Sequence, residues 1–306
     1  MKLLVIGAAG QVGEKVSELA LRQGNKVFGT YKSREPLESL DGSFQLNKTD
    51  KARVDEIVFR VAPDVVVDTG ALHNVDYCET HTEEAYKVNR DGTGNLALAS
   101  SKMGAKFVFV STDFVFDGLK APYTEGDLPN PTSVYAQSKL AGEKVALESN
   151  SKTIVCRPAV IYSWVRTSQQ VGASSSGKPL NFGAWLASQL LAKKEVKIVT
   201  DQITSPTLAD DLAGAILALS KSSANGIFHT AGDTAMSRYD FSVRLAEKIG
   251  CDPSLIHPIK SSELKQVAKR PLNSSLISTK LARVTGYSMM EIDTALDMFA
   301  SQSREK

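Results

Sequence analysis

The sequence has few cysteines and no long apolar run, and both shortages limit the classes of protein to which it can belong. Its three cysteines, Cys78, Cys156 and Cys251, are odd in number and form no CxxC pair. This pattern argues against a disulfide framework or a zinc site and favours a reducing compartment, which we expect to be the cytoplasm. No apolar run approaches the length of a membrane span, so no membrane association is expected. The apolar N-terminal stretch breaks at Gly7, which favours a buried strand over a signal peptide.

An excess of charge of one sign is also missing. The chain has 36 Lys and Arg against 34 Asp and Glu, a formal net charge of +2 at pH 7. This balance provides no excess of positive charge that could bind nucleic acid, so we expect no nucleic-acid partner. His73, Cys78 and His81 lie close together in the sequence, but their spacing fits no standard ligand pattern, and we predict no metal site.

Short apolar runs alternate with helical patterns through the first half of the 306 residues. The predicted strands are residues 3–6, 26–30, 43–46, 64–68, 106–111 and 153–157, and helices are predicted over 50–61, 84–103 and 133–149. Continuous β-branched runs are typical of strands that are buried on both faces. Their alternation with helices predicts an α/β fold with a doubly wound parallel sheet of the Rossmann type.

The second half is less regular, which indicates a smaller second domain. A Ser-, Gly- and Gln-rich loop is predicted over 163–179, helices over 181–194, 208–220, 239–249 and 280–301, and a last strand over 226–229. The very apolar helix over 208–220 is expected to pack back on the sheet. We therefore predict a first domain over 1–158, to which the chain returns at about 195–228, and a second domain over 159–306.

Three glycines, Gly7, Gly10 and Gly13, lie between the first predicted strand and the first helical pattern. The first allows a tight turn, the second lets the backbone approach a pyrophosphate, and the third permits close packing of helix on sheet. The free N–H groups at the helix start would then face the phosphates. This strand–turn–helix context predicts a dinucleotide site in the first domain.

The end of the second strand distinguishes NAD from NADP. NAD enzymes place a carboxylate there to bind the ribose 2′-hydroxyl. This sequence has Lys32 and Arg34 and no acid before Glu35. Cations suit a 2′-phosphate, although a solvated basic turn is the alternative. We expect NADP(H) to be preferred and NAD(H) to be usable.

Tyr135 and Lys139 form a YxxxK pair at the start of a predicted helix, where side chains at i and i+4 share one face. A free tyrosine has a pKa near ~10, and a nearby lysine ammonium is expected to lower it. Thr112 follows the fifth strand at the carboxyl edge of the sheet, where doubly wound folds bind ligands. Its hydroxyl can hold a carbonyl oxygen near Tyr135, so the glycine loop, Thr112 and the YxxxK pair are three pieces of one predicted site.

The GxxGxxG spacing and the YxxxK pair resemble the short-chain dehydrogenase/reductase superfamily in its extended form. The resemblance implies a catalytic triad of Thr112, Tyr135 and Lys139, and it implies that Asn89 supports the site structurally. It also implies that the first domain binds the cofactor and the second mainly the substrate. The cofactor-binding residues expected on this basis are Gly7, Gly10, Gln11, Val12, Gly13, Lys32, Arg34, Asn47, Gly70, Ala71, Asn89, Ser111, Tyr135, Lys139 and Pro158.

Four further strings narrow the resemblance to one family. TDFVFDG at 112–118, the VDxxE pattern that begins at Val75, DQITSPT at 201–207 and RPLNS at 270–274 are similar to segments of dTDP-4-dehydrorhamnose reductases, and the likeness runs from residue 1 to about 285. It implies NADPH-dependent reduction of a nucleotide-linked 4-keto sugar, foremost of dTDP-4-dehydro-L-rhamnose to dTDP-L-rhamnose. The substrate-binding residues expected on this basis are Val75, Asp113, Phe114, Val160, Asn181, Gln202 and Arg270.

Departures from the family pattern keep other functions open. Val160 stands where the family often carries a tryptophan of the sugar pocket, and Phe114 replaces the glutamate of nucleotide-sugar 4,6-dehydratases, which argues against dehydration. The alternatives are another nucleotide-sugar epimerase or reductase, or a non-catalytic cofactor-binding subunit like the regulatory β subunit of methionine adenosyltransferase. The expected partner is a nucleotide-sugar substrate, and a homodimer is an open alternative.

Overall fold

The computed structural model describes residues 1–36, 39–164 and 181–304. The loop predicted over 163–179 lies mostly outside these described residues. The strands are β1 Lys2–Ile6, β2 Lys26–Tyr31, β3 Gly42–Gln45, β4 Val65–Asp68, β5 Lys106–Val110, β6 Thr153–Arg157, β7 Ala159–Tyr162, β8 Val196–Val199, β9 Ile203–Thr204, β10 Pro206–Leu208, β11 Gly226–His229, β12 Met236–Ser237 and β13 Ile256–Ile259.

The helices connect these strands. They are α1 Gln11–Arg22, α2 Lys51–Val61, α3 Val75–Thr80, α4 Thr82–Tyr86, α5 Gly92–Lys102, α6 Val134–Ser149, α7 Phe182–Leu191, α8 Ala209–Lys221, α9 Arg238–Lys248, α10 Thr279–Thr285 and α11 Ile292–Arg304. The single helix predicted over 84–103 is wrong in one respect, because a π-helical turn at Lys87–Asp91 separates α4 from α5. Such turns insert an extra residue and often occur at functional sites.

Seven strands form one parallel sheet in the order β11-β6-β5-β4-β1-β2-β3. The strand order reverses beside β1, because the chain runs outward to β3 and then crosses over to β4. Apolar side chains of the central strands are almost wholly buried, as Leu3, Val66 and Val108 are. Helices α1 and α8 cover one face of the sheet, and α2, α5 and α6 cover the other. The predicted doubly wound α/β fold is therefore confirmed.

The remaining strands form three pairs, β7 with β10, β8 with β13, and β9 with β12. Side chains of α7, α9 and α11 make a second apolar cluster around Tyr162, Phe241 and Phe299. The chain rejoins the large sheet at α8, which packs against α1, and at the edge strand β11. The division into two domains at residue 158 stays a prediction. Among the described residues, no helix has the length and apolarity that crossing a membrane requires.

Candidate active site

A cavity of about 630 Å³ opens at the carboxyl edge of the sheet, beside the reversal of strand order at β1 and β4. Ligands of doubly wound folds bind at this position. The cavity runs from the end of β2, past the glycine loop, to the end of β5 and the start of α6. Most of the site residues predicted from the sequence line it, namely Gly7, Gly10, Gln11, Val12, Lys32, Arg34, Gly70, Ala71, Val75, Ser111, Thr112, Asp113, Phe114, Tyr135, Lys139, Pro158 and Val160.

The glycine loop has the geometry that a dinucleotide needs. Gly7 has φ of +77°, a conformation that residues with side chains rarely adopt. Gly10 is the N-cap of α1, so the first N–H groups of the helix follow it directly. A Cβ atom on Gly13 would lie 2.2 Å from the Gly7 carbonyl oxygen, which means that Gly13 lets α1 approach the loop without itself lining the cavity. The loop therefore fits a pyrophosphate.

The outer end of the cavity lies beside the end of β2 and is open to solvent. Lys32 is exposed, and Arg34 is half-buried. The Arg34 guanidinium donates a hydrogen bond to the Ala9 carbonyl oxygen at 2.5 Å, which ties it to the glycine loop. Glu35 accepts a hydrogen bond from the Tyr31 hydroxyl at 2.7 Å. Two cations beside a phosphate-binding loop fit a ribose 2′-phosphate.

Tyr135 and Thr112 meet at the inner end of the cavity. Tyr135 lies in the first turn of α6, whose N-cap Ser133 accepts a hydrogen bond from the Ala136 N–H. The Thr112 hydroxyl lies close enough to the Tyr135 phenol to lower its pKa, while it donates a hydrogen bond to Asp113 at 3.2 Å. The Phe114 ring packs edge-on against the phenol, with ring centroids 6.4 Å apart. Two hydroxyls are thus held together at one point of the cavity wall.

The phenol of Tyr135 favours its protonated form in this structure. Burial raises its pKa, the Thr112 hydrogen bond opposes this, and the Asp113 charge adds to the rise. The expectation that Lys139 lowers the Tyr135 pKa is therefore wrong for the structure, because burial dominates. A protonated phenol suits the direction of reduction, in which the forming alkoxide needs a proton.

Lys139 is buried on the same face of α6, with 1% of its surface exposed. Its ammonium donates to the Val110 carbonyl oxygen at 2.6 Å and lies 3.9 Å from the centroid of the Phe109 ring. Burial lowers the Lys139 pKa to about 7, and the charge of Lys48 adds to this effect. The charge on Lys139 can therefore change near neutral pH.

A buried ion pair underlies the inner end. Arg157 donates to both carboxylate oxygens of Glu143, at 2.9 and 2.6 Å, and both side chains are almost wholly buried. The Ser111 hydroxyl donates to the same carboxylate at 2.5 Å. Since Glu143 lies on α6 and Arg157 ends β6, the pair fixes the YxxxK helix against the sheet edge.

A second buried network, which the sequence analysis missed, lies under the middle of the cavity. The Lys48 ammonium donates to Asp68 at 2.7 Å, to the Gly70 carbonyl oxygen at 2.6 Å and to the Thr93 hydroxyl at 3.2 Å. A Cβ atom on Gly92 would lie 2.7 Å from the Lys48 side chain, so glycine makes room for it. The network holds the segment after β4 that lines the cavity.

Asp113 is buried next to Thr112, at the inner end. It accepts hydrogen bonds from the Thr112 hydroxyl at 3.2 Å and from the Ser274 hydroxyl at 2.5 Å. Burial raises the Asp113 pKa to about 6, against the effect of these bonds and of the Arg238 charge. Arg238 also lines the cavity, and sequence reasoning missed it because no motif surrounds it.

Val160 lies on the cavity wall with φ of +37°, an unfavourable value for a β-branched residue. Backbone strain of this kind clusters at functional sites. The residue therefore has the position that the sequence analysis expected, while its contact with substrate stays a prediction.

Three predicted site residues lie off the cavity wall and hold neighbouring elements. Asn89, in the π-helical turn, is fully buried and bonds the backbone of Leu72 and the hydroxyl of Ser138. Asn181 caps α7 by accepting from the Ala184 N–H at 2.8 Å. These amides are engaged by the fold, as the resemblance implied for Asn89. Asn47 is exposed, and its side chain accepts from Thr49.

Arg270 and Gln202 also lie outside the cavity lining. Arg270 pairs with Asp76 at 2.9 Å and donates to the Ala268 carbonyl oxygen. The Gln202 carbonyl oxygen accepts from the Arg238 N–H at 3.0 Å, so Gln202 positions a residue that does line the cavity. Among the described residues, no group of three His, Cys, Asp or Glu side chains could hold a metal ion.

Comparison with protein families and curated proteins places the site in context. The family model described as the RmlD substrate binding domain matches residues 1–304. A probable low-salt glycan biosynthesis reductase of Haloferax volcanii is 34% identical, over 90% of this chain and 89% of its own. A dTDP-4-dehydrorhamnose reductase of Mycobacterium tuberculosis is 32% identical, over 92% and 86%. Methionine adenosyltransferase 2 subunit beta of Bos taurus is 30% identical, over 92% and 81%.

Solved structures show the same architecture. A dTDP-4-dehydrorhamnose reductase of Clostridium acetobutylicum superposes with a TM-score of 0.85, at 31% identity, over 99% of this chain and all of its own. The Bacillus anthracis reductase, in complex with NADP, gives 0.83 at 26% identity, over 98% and 99%. Fold and site define an extended short-chain dehydrogenase/reductase, an NAD(P)H-dependent oxidoreductase. Within that class, the chain belongs to the RmlD family, that of the dTDP-4-dehydrorhamnose reductases.

Proposed function

We propose that this protein uses NADPH to reduce the C4 ketone of a nucleotide-linked 4-keto sugar, foremost dTDP-4-dehydro-L-rhamnose to dTDP-L-rhamnose. The Thr112 and Tyr135 side chains, which together line the inner end of a cavity that begins at a glycine loop, carry the proposal. Similarity over almost the whole chain to reductases named for this substrate supports it. A cytoplasmic location and a homodimer belong to the same proposal.

The residues present fit the cofactor. The loop at Gly7 and Gly10 would hold the pyrophosphate, Lys32 and Arg34 the 2′-phosphate, and Lys139 the nicotinamide ribose. NADPH, when bound, supplies the hydride that C4 of the sugar receives. NADP(H) is the preferred cofactor and NAD(H) a usable one, consistent with the reductase crystallised with NADP and with fold neighbours crystallised with NAD.

The chain's own groups handle the oxygen of the ketone. The Thr112 hydroxyl donates a hydrogen bond to this oxygen and so orients the carbonyl. Tyr135, kept protonated by burial, donates its proton to the oxygen as negative charge develops there. The buried pair of Glu143 and Arg157 keeps α6 in register with the sheet edge, so that the two hydroxyls stay together. Specificity then depends on the wall that includes Val160.

Oxidation of NADPH with a panel of nucleotide 4-keto sugars tests the proposal. We expect turnover with the dTDP-linked 6-deoxy-4-keto sugar and weaker turnover with epimers or other nucleotides. Turnover that is confined to a UDP- or GDP-linked sugar would support the reductase activity but contradict the proposed dTDP-linked substrate.

A second role is favoured by the 30% identity to methionine adenosyltransferase 2 subunit beta. In that role, the chain would bind the cofactor without turning over and would regulate a partner enzyme. Native protein that binds NADPH, reduces no keto sugar of the panel and co-purifies with a partner enzyme would establish it. Thr112, Tyr135 and Lys139 are all retained at the site, which favours chemistry over this role.

A further inference from the structure

Arg238 places a positive charge on the cavity wall that no described residue pairs in a salt bridge. It is the first residue of α9, and its N–H donates to the Gln202 carbonyl oxygen at 3.0 Å. Its guanidinium lies 5.1 Å from the centroid of the Phe182 ring. Within the described ranges, the guanidinium has this ring contact and no hydrogen bond or ion pair. As far as the described residues go, its donors are therefore available to a group in the cavity.

Neighbouring charges do not neutralise Arg238 directly. The carboxylate of Asp113 attracts it, but both oxygens of Asp113 already accept hydrogen bonds, from Thr112 and Ser274. Arg270 is close enough to repel it and is itself paired with Asp76 at 2.9 Å. Arg238 is half-buried, and a guanidinium partly shielded from water without a paired anion is costly. Such a cost is expected where a ligand completes the pairing.

The position of Arg238 separates it from the cofactor's phosphates. Lys32 and Arg34 lie at the end of β2, whereas Arg238 interacts with Asp113, directly after β5. In the sheet order, β4 and β1 lie between these two strands. The cavity wall thus carries Lys32 and Arg34 at one end and Arg238, near Asp113, towards the other, where Lys139 also lines it.

We infer that Arg238 binds anionic oxygens of the substrate and thereby determines substrate affinity. This inference rests on the proposed function. The planar fork of a guanidinium matches the oxygen pair of a phosphate or a carboxylate, and the diphosphate of a nucleotide sugar carries such oxygens close to the sugar. The ring of Phe182 orients the guanidinium before the anion arrives, and the backbone bond to Gln202 fixes the start of α9.

Three variants test the inference. Arg238→Gln removes the charge, and Arg238→Lys keeps the charge without the fork. Arg244→Gln is the matched control, because Arg244 lies on the same helix and pairs with exposed Asp293 at 3.3 Å, outside the cavity. Thymidine diphosphate is titrated calorimetrically into each NADPH-saturated protein, and kcat and KM are measured with the nucleotide 4-keto sugar. Thermal unfolding and NADPH affinity verify that each variant is folded.

For Arg238→Gln we expect thymidine diphosphate affinity to fall roughly 10- to 100-fold, with kcat within about threefold of native. Arg238→Lys should be intermediate and Arg244→Gln native-like. If KM for the complete nucleotide sugar rises while thymidine diphosphate affinity is kept, Arg238 does not bind the diphosphate, and the inference is overturned. If Arg238→Gln binds thymidine diphosphate and turns over substrate as Arg244→Gln does, the inference is overturned. If Arg238→Gln does not fold, native-like affinity and kinetics of Arg238→Lys overturn the inference. Native protein that neither binds nor reduces the substrate would instead sink the proposed function.

Discussion

The inner and outer ends of the cavity differ in how their charges are held. At the inner end, Glu143, Arg157 and Lys139 are almost wholly buried, and each has short hydrogen bonds to neighbouring groups. At the outer end, Lys32 is exposed and Arg34 half-buried. Electrostatic interactions are much stronger away from water, so the same type of charge has a larger effect at the inner end. The chemistry is expected to depend on the inner end, and cofactor choice on the outer one.

The largest effect is expected from removal of the proton donor. Tyr135→Phe should keep NADPH affinity and lower kcat by about 10²- to 10⁴-fold, because only the phenolic proton is lost. Steady-state kinetics and calorimetry on the same preparation measure both quantities. Tyr162→Phe is the matched control, since the Tyr162 hydroxyl is buried and has no hydrogen-bond partner in the described part of the chain. Unchanged turnover of Tyr135→Phe would remove Tyr135 from the mechanism.

The next effect concerns stability at the inner end. Glu143→Gln leaves the buried Arg157 charge without its partner and should lower the free energy of unfolding by about 3–5 kcal/mol. Urea denaturation measures the difference. Glu56→Gln breaks an exposed pair with Arg53 on α2 and should leave stability nearly unchanged. Similar losses in both variants would mean that burial does not distinguish the two pairs.

A pH effect of slightly smaller size is expected from Asp113, whose pKa burial raises to about 6. The folded protein then binds more protons than the unfolded chain between about pH 4 and 6, so stability falls as pH rises through this window. Asp113→Asn should remove this fall, which amounts to about 3 kcal/mol relative to native.

Denaturation curves from pH 4 to 7 measure this effect. Asp117 supplies the control, because hydrogen bonds lower its pKa to about 2. Its stabilisation is present above the unfolded pKa and is lost as pH falls, the opposite direction. Parallel pH profiles of Asp113→Asn and native protein would contradict the assignment.

The smallest effect is expected at the outer end. Replacing Lys32 and Arg34 together by Ala should reduce the preference for NADPH over NADH by roughly tenfold, about 1.4 kcal/mol, because exposed charges are screened by water. Saturating cofactor should restore kcat. Lys26→Ala, at the opposite end of β2, is the control. A native protein that binds NADH as tightly as NADPH would show that these cations have no part in cofactor choice.

The site residues that could be predicted from the sequence are those that belong to short sequence motifs. Gly7, Gly10, Tyr135 and Lys139 belong to local spacings, and a parallel sheet brings such segments to one edge. The burial of the strands follows from continuous apolar runs, which explains why the large sheet was predicted correctly. The strand pairs of the second half have two to four residues each, too few for a periodic signal.

Contacts between distant segments could not be predicted in the same way. The tertiary fold brings Lys48 into an ion pair with Asp68 and a hydrogen bond with Thr93. No spacing in the sequence predicts that this lysine is buried. Arg270, which was expected at the substrate, pairs with Asp76 and is not part of the cavity lining, and its contact with substrate stays a prediction. Arg238 begins a helix that no motif marks, and it lines the cavity. Pairing and burial decide which arginine reaches the cavity, and both depend on tertiary structure.

Transfer of deuterium from NADPH labelled at the reactive C4 position of its nicotinamide tests the central claim most directly. The account predicts that the nucleotide-sugar product carries one deuterium at C4 of the sugar, and that Tyr135→Phe forms this product far more slowly while binding NADPH normally. Product without deuterium at C4 of the sugar, or labelled product formed equally fast by Tyr135→Phe, would contradict the account.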